Sequence, residues 1–268
     1  MNKITLKVAD RQARMSGKIL YCGDGTLKGA ARYLQGILKY LGHRVHYVPS
    51  ETLLTEKHLK WDFDLIVLSD YPASRIERRL QKKIIKKIEQ GASFLMIGGY
   101  GCFHGKDGFY QNSDLVEVLP VHCESKDDRV HVPQGIVMVR KVLEFAADLD
   151  FSKSPVFVGY NRVHIKQESQ VILTLKPLVI QFPKITFSKE EYPLLIFGKY
   201  GLGKTAAFTT DLAPHWCGGL VDWGDSRIII SGLHYNNKAA GANNKAAGAL
   251  ELGTQYIRFV QCLVESLI

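Results

Sequence analysis

The chain has 268 residues, of which 46% are hydrophobic, and its formal net charge is +9. This is ample for one continuous core, and we expect a single domain over residues 1–268. No stretch approaches the roughly 18 apolar residues of a membrane span, and the first twenty residues lack a signal-peptide core. We therefore expect a cytoplasmic protein with no membrane partner.

The cysteine pattern argues against disulfides and zinc. The five cysteines are odd in number, widely scattered and never arranged as CxxC. Neither a disulfide framework nor a zinc site is indicated, so reduced thiols are expected. We predict no metal and no cofactor.

Alternating strands and helices fill the first half. Residues 1–16 form a polar leader or an edge strand. Predicted strands cover residues 18–22, 44–48, 65–68 and 93–97, and a helix covers 29–41. Strands that alternate with helices at short spacing predict a parallel sheet with right-handed crossovers.

A basic helix is predicted over residues 74–90. Ser74 and Glu77 have capping-box spacing, and Ile76, Leu80, Ile84 and Ile88 form an apolar stripe. The basic residues fall on the other faces, with no aromatic residue among them to stack on a base. A solvated helix face is favoured over nucleic-acid binding.

The second half is rich in predicted strands, at residues 136–139, 171–175, 178–182, 194–197 and 206–210, with a last helix over 252–268. Residues 236–242 (NNKAAGA) are repeated as 243–249. Two copies of a small polar heptad predict an exposed, mobile insertion.

Residues 198–205 (GKYGLGKT) match the P-loop pattern GxxxxGK[ST]. A P-loop must open a helix, whose amino-terminal amides hold the phosphates. Here an apolar strand precedes the motif, and residues 206–210 read as another strand. The pattern therefore predicts a β-hairpin instead of an ATP site.

Three loops follow predicted strands and carry reactive side chains. The glycine-rich run 98–105 includes Cys102, which could be a nucleophile at a sharp turn or a small buried residue. Asp211 and His215 could form an orienter and a base, or a structural hydrogen bond. Ser69 and Asp70 end the third strand, where α/β sheets bind ligands.

Several motifs in order resemble a known family. They are FLMIGGYGCFHGKDGF, LVEVLPV, DDRV, GYNR and GKYGLGKTAAFTTDLAPHW, spread over residues 18–225. Together they resemble the bacterial "putative glutamine amidotransferase" proteins, relatives of ThuA-like proteins in the class I glutamine amidotransferase-like superfamily. The resemblance implies a flavodoxin-like, three-layer α/β sandwich with a mostly parallel central sheet and a β-rich elaboration in the second half.

Two departures bear on the chemistry that the resemblance implies. A class I amidotransferase elbow reads GxCxG, and matching it to residues 98–101 places Tyr100 in the nucleophile position. These enzymes also carry His-x-Glu, whereas His215 is followed by Trp216 and Cys217. The standard Cys-His-Glu triad is therefore not expected.

Two hypotheses remain open. In the favoured one, the chain binds a small polar molecule in a cleft at the carboxyl edge of the sheet. The ligand-binding residues would be Ser69, Asp70, Gly99, Tyr100 and Trp216. In the alternative, a hydrolase or transferase uses Cys102 or Tyr100 with His215 and Asp211. Both require these side chains to share one cleft, and a homo-oligomer is left open.

Overall fold

A computed structural model describes residues 3–7, 16–216, 218–235 and 246–268 of the chain. The strands are β1 (Lys3–Lys7), β2 (Lys18–Gly23), β3 (Arg44–Val48), β4 (Leu65–Ser69), β5 (Ser93–Ile97), β6 (Val121–Cys123), β7 (Arg129–Arg140), β8 (Val156–Asn161), β9 (Val163–Ile165), β10 (Gln170–Gln181), β11 (Lys184–Phe187), β12 (Tyr192–Tyr200), β13 (Gly203–Phe208), β14 (Arg227–Tyr235) and β15 (Ala246–Gly253). The helices are α1 (Ala31–Tyr40), α2 (Glu56–Leu59), α3 (Arg78–Glu89) and α4 (Thr254–Glu265).

A large mixed sheet forms the centre of the fold. Its strands lie in the order β3-β2-β4-β5-β13-β12-β10-β7-β8, and β11 pairs with β10 beside this path. The strands from β3 to β13 are parallel to one another. The strands from β12 onward pair antiparallel. A parallel first half is thus extended by a β-rich second half.

The sheet is covered on both faces, which gives three layers. Successive residues of a strand point to opposite faces. In β4, Leu65 and Val67 join one buried cluster with side chains of α1 and α4, whereas Ile66 and Leu68 join another with side chains of α3. This burial explains why β4 is apolar throughout. None of the helices in the described ranges has the length and apolar run needed to cross a bilayer.

The P-loop lookalike is a hairpin, as its sequence predicts. β12 and β13 pair antiparallel, with Tyr200 opposite Gly203. Lys204 donates a hydrogen bond to the Ser266 carbonyl at 3.0 Å. No helix follows the glycines, so the amides that a phosphate needs are engaged in the sheet.

Some predicted boundaries are wrong. The basic helix begins at Arg78 instead of Ser74, because a 3-10 turn ends at Arg75 and Ile76 is extended. The predicted stripe from Ile76 to Ile88 is nevertheless buried. The last helix begins at Thr254, since Leu252 pairs with Ile228 in the hairpin of β14 and β15. The two strands predicted between residues 171 and 182 form one continuous strand, β10.

Two smaller sheets complete the fold. β1 pairs parallel with β14, which pairs antiparallel with β15, and β6 pairs with β9. Residues 1–2 and 8–15 of the predicted leader and residues 236–245 of the predicted insertion lie outside the described residues. The last four repeat residues, 246–249, lie in β15.

Candidate functional site

Acidic residues follow three of the parallel strands of the sheet. Asp24 comes directly after β2, Asp70 directly after β4, and Asp211 shortly after β13. Because these strands are parallel, their carboxyl ends meet at one edge. Asp24 and Asp70 adopt left-handed backbone conformations, with φ of 52° and 47°. Such values are uncommon outside glycine, although aspartate tolerates them better than most residues.

A short loop places His215 over Asp211. One carboxylate oxygen of Asp211 accepts a hydrogen bond from the Ala213 amide at 2.7 Å. The other lies 2.5 Å from His215 Nδ1, and Asp211 is buried whereas the imidazole is half-exposed. This hydrogen bond with Asp211 raises the pKa of His215 to about 9. The pair is therefore an imidazolium held by a buried carboxylate at neutral pH.

Asp70 stands beside this pair. Its Oδ1 accepts a hydrogen bond from the Gly101 amide at 2.8 Å, and its Oδ2 lies 3.7 Å from His215 Nδ1. Burial, and next the negative charge of Asp211, raise the pKa of Asp70 to about 6. A carboxyl group with such a pKa can accept or release a proton near neutral pH.

Asp24 is the most enclosed of the three acids. Its carboxylate accepts hydrogen bonds from Ser69 Oγ at 2.8 Å and from the Tyr21 hydroxyl. Burial first, and then the charges of Asp211 and Asp70, raise the pKa of Asp24. Three carboxyl groups thus lie near a single imidazole, and the pKa of each is raised above its usual value.

The loop after β5 can take its shape only with a glycine at position 99. Gly99 has a φ of 156°, and a Cβ there would lie 2.0 Å from Asp70 Oδ1. The Asn161 side chain makes two hydrogen bonds with this glycine. Its Oδ1 accepts a hydrogen bond from the Gly99 amide at 2.8 Å, and its Nδ2 donates one to the Gly99 carbonyl at 3.1 Å. Asn161 also donates to buried Asp128, which accepts from the His104 amide.

Aromatic side chains lie next to the acids. The rings of Tyr100 and Trp216 have centroids 6.0 Å apart. The Arg129 guanidinium lies 4.3 Å from the Tyr100 centroid, within the range of a cation–π contact. Trp216 packs against Gly159, where a Cβ would lie 3.0 Å from the indole ring. Tyr100 thus has a supported ring with part of its surface exposed.

An open cleft of about 790 Å³ lies over this edge of the sheet. Its charged lining residues are Asp24, Glu51, Asp70, Arg75, Asp107 and His215. Tyr100 and Phe109 supply exposed aromatic surface to the same cleft. A mixture of apolar walls and a few convergent polar groups is typical of small-molecule sites.

Comparison with known families gives one match. The model of the family described as "Putative glutamine amidotransferase" matches residues 26–234, well over half of the chain. The chain belongs to this family. Family membership establishes the fold, while the chemistry depends on the residues of the site.

Solved structures agree with this assignment. "Cytoplasmic Protein STM3548 from Salmonella typhimurium" is 24% identical, with a TM-score of 0.67 over 93% of this chain and 98% of that one. "Cytoplasmic Protein STM1381 from Salmonella typhimurium LT2" is 29% identical, with a TM-score of 0.60 over 74% of this chain and 90% of that one.

A protein described as a "Putative thua-like protein from Parabacteroides merdae ATCC 43184" shares the fold at 13% identity. Its TM-score is 0.52, and the similarity covers 72% of this chain and 78% of that one. Among curated protein sequences, none matches this chain.

Most of the site residues predicted from the sequence lie together at this cleft. Asp70, Tyr100 and His215 line the cleft. Asp211 and Ser69 are buried beneath the cleft. Asp211 makes a hydrogen bond with His215, and Ser69 donates a hydrogen bond to Asp24. Gly99 contacts Asp70, and Trp216 contacts Tyr100.

Cys102 lies elsewhere, which corrects the expectation that it lines the cleft. Its side chain is fully buried in the cluster that packs against α3, and its Sγ lies 3.7 Å from the Leu68 carbonyl. Burial raises the pKa of this thiol well above its usual value. The loop turns so that Tyr100 faces the cleft and Cys102 the core. A protonated, enclosed thiol is a poor nucleophile.

Sequence reasoning missed the residues that support the site from a distance in the chain. Asp24 was not recognised as an acid of the cluster, although it stands in the glycine-rich turn after β2. Asn161 and Asp128 belong to the motifs GYNR and DDRV, which carry the family resemblance without showing their role. Arg129 was missed for the same reason.

A metal ion could also be accommodated at this cluster. Asp70, Asp211 and His215 each offer one ligand atom, and these atoms lie within 4.8 Å of one another. Carboxylate oxygens and an imidazole nitrogen suit several divalent cations. Binding would require the imidazole to be neutral and its hydrogen bond with Asp211 to open, because metal ligands must be deprotonated.

Proposed function

We propose that this protein binds a small polar ligand in the cleft at the carboxyl edge of its sheet. The observation that carries the proposal is the convergence of His215, Asp70 and buried Asp211 at one wall of an open cleft. Bringing three ionisable groups together costs free energy, since each is wholly or partly withdrawn from water. Clusters of this kind are concentrated at functional sites.

The chemistry of the cleft favours a neutral, hydroxyl-rich ligand, such as a sugar or another polyol. His215 Nδ1 is engaged by Asp211, which leaves the Nε2–H free to donate to a ligand oxygen. Asp70 can accept from a ligand hydroxyl. The exposed faces of Tyr100 and Phe109 offer apolar surface for a ring. The four acids that line the cleft disfavour anions such as nucleotides.

A thermal-shift screen tests this proposal. A panel of neutral sugars and polyols is compared with nucleotides and organic acids on the wild type and on His215→Gln. A ligand that binds only the folded chain at about 100 times its Kd stabilises it by about 2.7 kcal/mol, so a melting shift of several degrees is expected. The shift should be lost in His215→Gln.

His164→Gln provides the matched control. His164 also lies beside an acid, Glu124, at 3.1 Å, but it is exposed and lies outside the cleft. This variant should respond to the ligand as the wild type does. If no neutral polyol shifts the melting temperature, or if His215→Gln keeps the full shift, the proposal is wrong.

Catalysis by the same cluster is the second candidate. The observation in its favour is a half-exposed imidazolium 3.7 Å from Asp70, whose pKa of about 6 suits a general base. A hydrolase or transferase would then use His215 as acid, with Tyr100 or a water molecule as nucleophile. The buried Cys102 thiol, whose pKa is raised by burial, argues against glutaminase activity through this residue.

Activity measurements distinguish the two candidates. Chromogenic esters and glycosides should be turned over with a bell-shaped pH profile between about pH 6 and 9 if the cluster is catalytic. Asp70→Asn would then abolish the acidic limb, and Tyr100→Phe would show whether the phenol is required. A ligand that binds without turnover in any of these assays would favour binding alone.

We also propose a cytoplasmic location and no nucleic-acid partner. The two Salmonella structures are named as cytoplasmic proteins, and Cys22, Cys102, Cys123 and Cys262 are free thiols. On the basic helix, Arg79 and Lys83 are paired with Glu56, and Arg78 with Asp114. Cell fractionation and a gel-shift assay with RNA and DNA test these statements.

A further inference from the structure

Two buried polar side chains hold the Tyr100 loop, which we define as residues 98–105. The first is Asn161, which is fully buried at the end of β8 and makes two hydrogen bonds with Gly99. The second is Asp128, also buried, which accepts hydrogen bonds from the amides of residues 104 and 105 at 2.8 and 3.0 Å. Neither side chain lines the cleft. The backbone is therefore fixed from within the protein near both ends of the loop.

The two side chains form one hydrogen-bonded network. Asn161 Nδ2 donates to Asp128 Oδ1 at 2.7 Å, so the Asp128 carboxylate accepts a hydrogen bond from this amide and from two backbone amides of the loop. Burying a carboxylate is costly unless such donors surround it. A loop that moved away would remove two of these donors from Asp128. The network therefore favours one conformation of the loop.

The ring of Tyr100 is held from the same segment of the chain. Arg129, the residue after Asp128, places its guanidinium 4.3 Å from the centroid of the Tyr100 ring. Asp127 accepts two hydrogen bonds from this guanidinium, at 2.8 Å from Nε and at 2.6 Å from a terminal nitrogen, which fixes its orientation. Tyr100 is 42% exposed, and exposed side chains ordinarily change rotamer rapidly. Here both the backbone and the ring are supported.

The shape of the loop also determines the surroundings of Asp70. The Gly101 amide donates its hydrogen bond to Asp70 Oδ1, and Gly99 packs directly against the same carboxylate. Asp70 in turn lies beside His215. A change in the loop conformation would therefore alter two walls of the cleft, the aromatic wall at Tyr100 and the acidic wall at Asp70.

We propose that Asn161 and Asp128 are positioning residues of the cleft, because they join the two ends of the Tyr100 loop and so fix Tyr100 and the Gly101 amide before a ligand arrives. This inference rests on the proposed function, since it assigns the loop a part in binding. A site that is ordered in advance binds more tightly, because association then carries no cost of ordering the loop. Neither residue needs to contact the ligand.

Isosteric substitutions in the full chain test the proposal. Asn161→Asp replaces a donor with a second carboxylate facing Asp128, and Asp128→Asn replaces an acceptor with a donor. Either change should release the loop, so the Gly101 amide should exchange with solvent at least about tenfold faster. The NMR ring signals of Tyr100, identified with Tyr100→Phe, should move towards those of a freely exposed tyrosine. The double variant again pairs a donor with an acceptor and should recover part of both effects.

Gln81→Glu is the matched control, because Gln81 is a buried amide that holds a different segment. It donates to the Ile76 carbonyl and accepts hydrogen bonds from residues 113 and 114, and none of these residues lines the cleft. This variant should lower stability without changing the exchange of the Gly101 amide or the ring signals of Tyr100. The two readouts thus separate a positioning role from a purely structural one.

Ligand binding is measured separately, with glucose and mannitol as a cyclic and an open-chain polyol. Their Kd should rise at least about tenfold in either single variant of Asn161 or Asp128 and keep its wild-type value in Gln81→Glu. A wild type that binds neither polyol argues against the proposed function, whereas the exchange rates and ring signals decide the role of Asn161 and Asp128.

Three results would overturn the proposal. The first is unchanged Gly101 exchange and unchanged Tyr100 ring signals in both single variants. The second is a wild-type polyol Kd that both single variants retain. The third is a wild-type Gly101 amide that exchanges as fast as a fully exposed amide, and this measurement is decisive even where a variant does not fold.

Discussion

Removing the carboxylate of Asp211 should lower the pKa of His215 sharply. In the wild type this pKa is raised from 6.5 to about 9, chiefly by the hydrogen bond to Asp211. With Asp211→Asn the amide cannot stabilise the imidazolium by charge, and partial burial of the ring favours its neutral form. We expect the pKa of His215 to fall towards 6.5, while the charges of Asp24 and Asp70 continue to favour the imidazolium.

The same change should alter the dependence of stability on pH. A rise from 6.5 to about 9 corresponds to about 3 kcal/mol for a fully enclosed group. The His215 side chain is 45% exposed, so solvent screening reduces this to about 1–2 kcal/mol. The folded pKa lies above the unfolded pKa. The stabilisation is therefore complete below pH 6.5 and is lost as the pH rises through 9.

Histidine NMR measures the pKa directly. The nine histidines are titrated between pH 5 and 10, and the spectrum of His215→Gln identifies the signal of His215. Asp107→Asn, which removes another carboxylate from the same cleft, should leave that signal titrating near pH 9. A wild-type His215 that titrates near pH 6.5 would show that the ion pair with Asp211 does not form.

Three further predictions concern the surroundings of the cleft and the chain as a whole. Gly99→Ala should destabilise the fold by about 3 kcal/mol in urea unfolding, because the φ of 156° and the contact with Asp70 leave no room for a Cβ; a loss under 1 kcal/mol would contradict this. Deleting residues 243–249 should change stability by less than about 1 kcal/mol, since the first repeat copy supplies the same four residues to β15; a larger loss would show a specific role for the second copy. Iodoacetamide followed by mass spectrometry should modify partly exposed Cys123 before Cys102, and faster modification of Cys102 would mean that its thiol reaches the cleft.

Periodicity and turn chemistry in the sequence were sufficient to predict the central strands and the β12–β13 hairpin. β4 is apolar at every position because both of its faces are buried, and the glycines after β12 lead into a strand. Boundaries failed where tertiary contacts compete with local pattern. The Arg75 carbonyl, for example, accepts a hydrogen bond from the Leu54 amide at 2.9 Å, and the helix starts only at Arg78.

The site could be predicted only in part. Asp70, Tyr100 and His215 each follow a predicted strand. Because the loops that follow parallel strands lie at the same edge of the sheet, the sequence indicates that these residues lie close together. The direction of each side chain within a loop depends on backbone angles that residue types do not determine. Cys102 therefore points into the core while Tyr100 faces the cleft. The contacts of Asn161 with Gly99 join residues 62 positions apart, which no local pattern encodes.

The most decisive experiment is a crystal structure with the polyol that raises the melting temperature most. We expect ligand density in the cleft, with a ligand oxygen within hydrogen-bond distance of His215 Nε2 and another within hydrogen-bond distance of Asp70. Density in the hollow lined by Gly17, Asp64 and Lys204, at the amino edge of the sheet, would show instead that the ligand binds elsewhere and that the proposed site is wrong.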